Sequence, residues 1–208
     1  LVKYYTFGLS KEMNMAGRPK IYDEDAILEK ALNVFWEKGF ENASADDLLK
    51  AMGIGKGSFY LAFKGGKQEL FEKTMDRVVH RHFDEFRKGV QSCANPVRLV
   101  KDFFLSLVTE QSPVGDKGCY FGNALVQVSD QNLQLKLQAV KNLDILEAIF
   151  KEAMDRGKKM GLLETKLSSK ELALYLVNLW NGINITKRMQ HEPKALKQLM
   201  LLNLDIIA

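Results

Sequence analysis

Residues 44–63, SADDLLKAMGIGKGSFYLAF, constrain the chain more than any other stretch, because two short amphipathic segments flank a turn of only three residues, Gly53-Ile54-Gly55. Ser44 and Asp47 have the spacing of a capping box, in which each side chain bonds the other residue's exposed backbone N–H ahead of Leu48, Leu49 and Met52. Gly53 ends that helix. So short a turn leaves no room for an antiparallel return, and the next helix must cross at a steep angle with Ile54 plugging the corner. That helix runs from Lys56 to about Phe63, and at about 100° per residue Phe59 and Phe63 fall on one side, toward the core. The opposite side carries Gly57, Ser58 and Leu61, flanked by Tyr60 and Lys64. Upstream, Asp23 and the acidic turn Glu24-Asp25 open a helix over about 24–38, with Ile27, Leu28, Ala31, Leu32, Val34 and Phe35 at helical spacing. It stops at Gly39, which takes the left-handed conformation while Phe40 folds back onto the last turn.

The glycines and lysines of residues 53–70, GIGKGSFYLAFKGGKQEL, are suited to a phosphate, either of a nucleotide or of a DNA backbone. A nucleotide-binding P-loop needs a preceding strand and the order G-x-x-x-x-G-K-[ST]. Here a helix precedes, Lys50 stands five residues before Gly55, and Gly57 follows Lys56 where Ser or Thr is required. What remains is a helix-turn-helix whose second helix has a small, sparsely charged outer surface able to enter a major groove about 12 Å wide. Local charge agrees. From Leu48 to Gln68 there are four lysines (Lys50, Lys56, Lys64, Lys67) and no acid, whereas residues 1–75 as a whole balance eleven basic against eleven acidic side chains. Lys67 also opens the next helix, where free N–H groups and the positive end of the dipole favour an anion. The overall charge of +4 and pI near 8.9 discriminate nothing by themselves.

With these residues in place, the stretch from Ala26 to Leu70 resembles the DNA-binding domain of the TetR/AcrR transcriptional regulators. The pattern is Phe35-x-x-x-Gly39-Phe40 at the end of the first helix, Ser44 as a cap, Ala51-x-Gly53-Ile54-x-Lys56-Gly57-x-Phe59-Tyr60-x-x-Phe63, and Lys67-x-x-Leu70. The resemblance implies a dimer of all-α subunits, each with an N-terminal three-helix DNA-binding domain and a larger C-terminal helical domain for effector binding and dimerisation. It further implies that Ser44 and Lys56 touch the DNA backbone, Gly57 and Ser58 lie against bases, Tyr60 reaches a phosphate and Lys67 clamps another, with Leu61 and Lys64 on the same face. Two such heads would read half-sites about one helical turn apart on a pseudo-palindromic operator. Two departures stand out. Gly55 occupies the place where the family usually has Ser or Thr, removing a side-chain cap worth ~1 kcal/mol. Leu61 and Ala62 stand where larger polar or aromatic groups are common, so thymine methyls and DNA shape are expected to supply more of the specificity. Arg18 and Lys20, in AGRPK, are suited to follow the minor groove as an arm.

Composition extends the helical reading to the whole chain. The 208 residues are 46% hydrophobic and 27% charged with four prolines, and helix formers outnumber β-branched clusters. The expectation is an all-α protein of about nine helices, divided into an extension (1–20), a helix-turn-helix domain (21–66) and a helical effector-binding and dimerisation domain (67–208). From Lys67 one continuous helix carries Leu70, Phe71, Met75, Val78, Val79, His82, Phe83 and Phe86. Asn95-Pro96 opens a helix with Leu99, Val100, Phe103, Phe104, Leu107 and Val108; the loop QSPVGDKG and a short buried helix in GCYFGNALVQV follow. Asp130 is expected to cap a long helix to about Lys159, with Leu133, Leu137, Val140, Leu143, Ile145, Leu146, Ile149, Phe150 and Met154 inside. Ser168 and Glu171 form a further capping box, and Pro193 starts a last helix.

The last two helices are apolar on more than one face, and a second copy is the economical cover. Leu172, Tyr175, Leu176, Leu179, Ile183, Leu199 and Leu202 are the expected dimer residues. An effector pocket for a small apolar or amphipathic molecule is placed among Phe103, Phe104, Tyr120, Phe121, Met154, Trp180, Asn181 and Asn184, which combine apolar bulk with a few polar atoms. No cofactor or metal is expected: Cys93 and Cys119 match no ligand spacing and read as reduced thiols of a cytoplasmic chain, and His80 and His82 lie two apart on different sides of a helix. No nucleophile–base set favours an enzyme. No apolar run approaches the ~20 residues of a membrane span. LVKYYTFGLSKEMN lacks a signal peptide's apolar centre and reads as an extension before MAGRPK. The expected function is a dimeric repressor released by a small molecule; the alternative is an effector-independent DNA-binding or nucleoid-associated protein of the same fold.

Overall fold

Every regular element is helical in the computed structural model, which describes residues 23–109, 117–128, 132–189 and 192–208. The elements are α1 (Glu24–Asn42), α2 (Ala45–Met52), α3 (Lys56–Ala62), α4 (Gly66–Val78), α5 (Asp84–Ser92), α6 (Pro96–Ser106), α7 (Tyr120–Gln127), α8 (Leu133–Lys159), α9 (Ser169–Thr186) and α10 (Pro193–Leu204). A π turn at Val79–Phe83 joins α4 to α5 in one rod, so the described residues form nine rods. Arg18, Lys20 and Asp130 lie outside the described residues.

α1 starts where the Asp23 carboxylate accepts from the backbone N–H of Asp25 and Ala26. At Gly39 the backbone leaves helical space (φ 75°, ψ 169°) before a last turn reaches Asn42, so the expected stop at Gly39 is a break with a short continuation. Glycine is needed there twice over, because a Cβ would also lie 2.4 Å from Gln127 Oε1 on α7. The Ser44–Asp47 capping box forms at the start of α2. Lys38 Nζ approaches Asp47 at 2.6 Å, and the bonds from Lys38 and then Ser44 hold this carboxyl at about 2 against an ordinary 3.8. A depressed folded-state pKa stabilises above the unfolded value and is lost as pH falls through the folded one. Asp47 is therefore expected to contribute down to about pH 4 and to lose that contribution between about pH 4 and pH 2. Urea midpoints measured across this window should fall less steeply in Asp47→Asn than in the parent chain.

α3 turns Phe59 and Phe63 inward, as its spacing predicts, and both are buried. Gly55 provides no side-chain cap. The rod that follows is not one regular helix. The Asp84 N–H bonds Val79 O, five residues back, and the extra residue moves the buried stripe from position 82 to Phe83. His82, expected inside, is consequently exposed. Asn95 caps α6 through Oδ1 and the Arg98 N–H, with Pro96 in its first turn. Asn132, not Asp130, precedes α8. Within α8, Leu143, Leu146, Ile149, Phe150 and Met154 are buried, but Leu133, Leu137 and Val140 are exposed. The first turns of α8 bury Leu135, Ala139 and Asn142 instead, which places those three on the uncovered side.

Aromatic side chains hold the molecule together in two groups. Phe71 on α4 lies 4.9 Å from Phe35 and 5.0 Å from Phe40 on α1, and 5.6 Å from Tyr120 on α7. Phe103 gathers Phe86, Phe104, Phe150 and Trp180 at 4.6–6.0 Å. On α9, Leu172, Leu176 and Ile183, expected at a dimer surface, are buried inside the subunit, because α9 packs against α8 through that face. Leu179 and Tyr175 are half-buried, and the Tyr175 hydroxyl bonds Asn203 Oδ1 of α10 at 2.8 Å. The apolar surface facing outward is Leu174 and Ile185 of α9 with Leu199, Leu201 and Leu202 of α10.

Candidate nucleic-acid interface

The outer side of α3 is open along its length. Lys56, Gly57, Ser58, Tyr60, Leu61 and Lys64 are all exposed, Leu61 by 82% and Tyr60 by 52%. Phe59 and Phe63 pack at 5.4 Å beneath them, and the Tyr60 ring stands edge-on to Phe59 at 5.1 Å. No Cβ placed at Gly53, Gly55 or Gly57 would meet anything within 4 Å, so a groove-sized partner can approach the backbone there. Two expected contacts are already engaged. The Ser44 hydroxyl donates to Asp47 Oδ2 at 2.7 Å and accepts from the Asp47 N–H, which commits its proton to α2. Lys67 Nζ donates to Glu41 O at 3.2 Å and sits 4.7 Å over the Phe40 ring; burial pushes its pKa down. Two of its three N–H donors remain for another acceptor. The start of α4 holds an anion of its own, since Glu69 Oε2 accepts from the Gly65 N–H at 2.7 Å.

Behind this head lies a cavity of about 660 Å³, walled by α1, α4, the π turn, α6 and residues 117–121, with Leu146 of α8 and Trp180 of α9 at its far side. Of the eight residues expected in an effector pocket, Phe103, Tyr120, Phe121 and Trp180 line it. Phe104 and Met154 are fully buried core residues, Asn184 is buried with its amide donating to Trp180 O, and Asn181 does not reach the cavity. Sequence reasoning missed the α1 wall, formed by Leu32, Asn33 and Trp36, together with Arg77, Arg81, Lys117 and Cys119. One signal was available: Trp36 is a large aromatic standing beside, not within, the buried stripe of α1.

The cavity's polar groups are mostly paired. Arg77 reaches Asp25 at 2.6 Å and Glu29 at 3.2 Å, Arg81 reaches Glu29 at 2.7 Å, and Lys117 reaches Glu37 at 3.0 Å. Trp36 Nε1 donates to Gly118 O at 3.1 Å. Thr74 Oγ1 donates to Phe71 O at 2.7 Å, which leaves the Tyr120 hydroxyl as donor in its 2.8 Å bond to Thr74. Burial pushes the pKa of Tyr120 and of Cys119 up. The cavity is thus held between the DNA-binding head and the body by bonds that cross from one to the other.

A three-helix head whose third helix is exposed and acid-free, set on a helical body, defines a helix-turn-helix DNA-binding regulator. Residues 27–74 match the family model described as bacterial regulatory proteins, tetR family, and residues 97–201 match the tetracyclin repressor-like C-terminal domain. The chain belongs to the TetR family of transcriptional regulators, whose members bind DNA and are not enzymes. Among its relatives, the HTH-type transcriptional repressor ComR of Escherichia coli (strain K12) is 25% identical over 195 residues, 88% of this chain and 87% of ComR. The HTH-type transcriptional repressor DhaR of Mycobacterium sp. (strain GP1) is 22% identical over 179 residues, covering 84% and 86%. Among solved structures, a cysteine mutant of the TetR family regulator CifR complexed with 26-bp double-strand operator DNA superimposes with a TM-score of 0.80 at 23% identity, covering 92% of this chain and all of CifR. Reduced E. coli NemR gives 0.79 at 20% identity, covering 88% and 96%. No helix among the described residues is long and apolar enough to cross a membrane.

Proposed function

We propose that the chain is a homodimeric repressor that leaves a pseudo-palindromic operator when a small molecule fills the cavity. The observation that carries this reading is the double membership of α1, which is the first helix of the DNA-binding head and also one wall of the cavity. A ligand that fits the cavity with α1 in one position and not another biases the head, whereas one that fits both equally shifts nothing. The cavity favours this over effector-independent binding. The exposed Leu174, Ile185, Leu199, Leu201 and Leu202 support a second copy packed on α9 and α10. The names of ComR and DhaR support repression. On DNA, Lys56, Lys64 and Tyr60 are assigned to phosphates, Gly57, Ser58 and Leu61 to base edges, and Ser44 to holding α2 in place; Lys67 adds a phosphate contact with its remaining donors.

A gel shift with the chain's own upstream DNA tests the assignment. Lys56→Ala is expected to weaken binding about tenfold at moderate salt and to reduce the slope of log affinity against log salt by roughly 0.9, the value for one lost phosphate contact. An unchanged slope would remove Lys56 from the interface, and failure of the parent chain to shift any upstream fragment would remove the function.

A further inference from the structure

Charge is distributed unevenly between the wall of the cavity and the solvent outside it. Arg77, Arg81 and Lys117 all line the wall, whereas of the carboxylates that bind them, Asp25, Glu29 and Glu37, only Glu29 does. Asp25 and Glu37 hold their cations from the outside. The Asp25 side chain is 79% exposed against 20% for Arg77, and Glu37 is likewise more exposed than Lys117. A carboxylate in water cancels little of a cation's field on the far side, because exposed pairs are screened and contribute at most about 1 kcal/mol. The wall therefore keeps an excess of positive charge facing an apolar interior, whose low dielectric focuses the field.

The two guanidiniums also have donors to spare. Arg77 gives Nε to Glu29 Oε2 and a terminal nitrogen to Asp25, while Arg81 gives a single terminal nitrogen to the same Glu29 oxygen. Most of their N–H groups are thus left over among the described residues, and the planar fork they form matches a further carboxylate. Deeper in, Phe83, Phe103, Phe121 and Leu146 make the interior aromatic and apolar, which suits a flat ring system better than a hydrated one.

We propose that the cavity selects an aromatic organic anion, whose carboxylate is held by Arg77 and Arg81 while its rings lie among the cavity's aromatic side chains. The volume suits a molecule of roughly two or three rings. Such a ligand also has a reason to move the head. Glu29 and Asp25 belong to α1, Arg77 to α4 and Arg81 to the π turn, so the bonds for which the ligand competes are those that tie the DNA-binding head to the rod behind it. A carboxylate that takes over these donors binds best where α1 has let go of them, which is the differential affinity that a shift between two states requires. This ligand class rests on reading the cavity as the effector site.

Three probes of nearly one shape test it by titration calorimetry: naphthoate, which is an anion; naphthamide, which is neutral; and naphthylmethylammonium, which is a cation. Naphthoate is expected to bind about tenfold more tightly than naphthamide, and the ammonium ion more weakly than either. Arg81→Gln removes one guanidinium at a side chain more than half exposed; it should weaken naphthoate about tenfold and leave naphthamide unchanged, and the retained naphthamide binding shows that the variant's cavity is intact. Equal affinity for naphthoate and naphthamide, tightest binding of the ammonium ion, an unaltered naphthoate affinity in Arg81→Gln, a loss there shared equally by naphthamide, or no binding of any probe would each overturn the ligand class. Operator release separates the two readings. If some probe dissociates the operator complex without the preference for negative charge, the effector site stands and the ligand class falls. If the preference holds and the complex stays intact, the ligand class stands and the effector role falls.

Discussion

Gly57→Ala is expected to fold at least as stably as the parent chain and to bind operator DNA at least tenfold more weakly. The two halves of this result have separate causes. In the free protein a Cβ at position 57 would meet nothing within 4 Å, and alanine in a helix is favoured over glycine by up to about 1 kcal/mol. On DNA the same methyl group would stand on the exposed face of α3, between Lys56 and Ser58, where backbone and base edge are assigned to meet. Holding the duplex away by the width of one methyl weakens the neighbouring phosphate and base contacts together, and a tenfold loss corresponds to only about 1.4 kcal/mol. Thermal melts of the free protein and anisotropy titrations with labelled operator measure the two quantities independently. Undiminished operator affinity would mean that the face is not read at close range.

The largest effect on stability is expected from Phe71→Ala. Only 2% of Phe71 is exposed, and its ring touches Phe35, Phe40 and Tyr120, so that one side chain joins α4 to α1 and to α7. Truncating a buried phenylalanine to alanine costs about 3–5 kcal/mol, from lost transfer energy and from the cavity left behind. Against a typical domain stability of about 5–15 kcal/mol this is a large share. Urea unfolding should show the midpoint falling accordingly, while Phe71→Leu, which fills most of the space, should retain the greater part. Phe104→Ala provides the contrast. Phe104 is equally buried but belongs to the other aromatic group, so its loss should cost similar stability and leave operator affinity intact under conditions where the protein remains folded. A loss under about 1 kcal/mol in Phe71→Ala would contradict its role as a junction.

What could be read in advance was what depends on neighbours in the chain. The capping boxes at Ser44–Asp47 and Ser168–Glu171 and the cap at Asn95 are bonds between residues three apart, so their spacing announces them. Phe59 and Phe63 were legible for the same reason, since one helical turn separates them. The π turn at Val79–Phe83 was not, because it is imposed by tertiary packing that shifts the register by one residue, and nothing in VHRHF marks it. Leu133, Leu137 and Val140 show the limit of apolar periodicity: they keep helical spacing yet face outward, because Leu135, Ala139 and Asn142 take the inward side. Leu172, Leu176 and Ile183 have the reverse history, being apolar residues whose cover is α8 and the subunit core. The cavity drew only half of its expected residues, since its walls come from helices far apart in sequence, and α1 was read as belonging wholly to the DNA-binding head.

That shared helix limits how the regulator can be re-engineered as a biosensor. Replacing Trp36, Leu32 or Asn33 to admit a new inducer also alters the helix against which α2 packs, so the uninduced output will drift with every such change. Substitutions on the far wall, at Phe103 or Trp180, alter recognition without touching that helix and offer the cleaner route to a retuned switch.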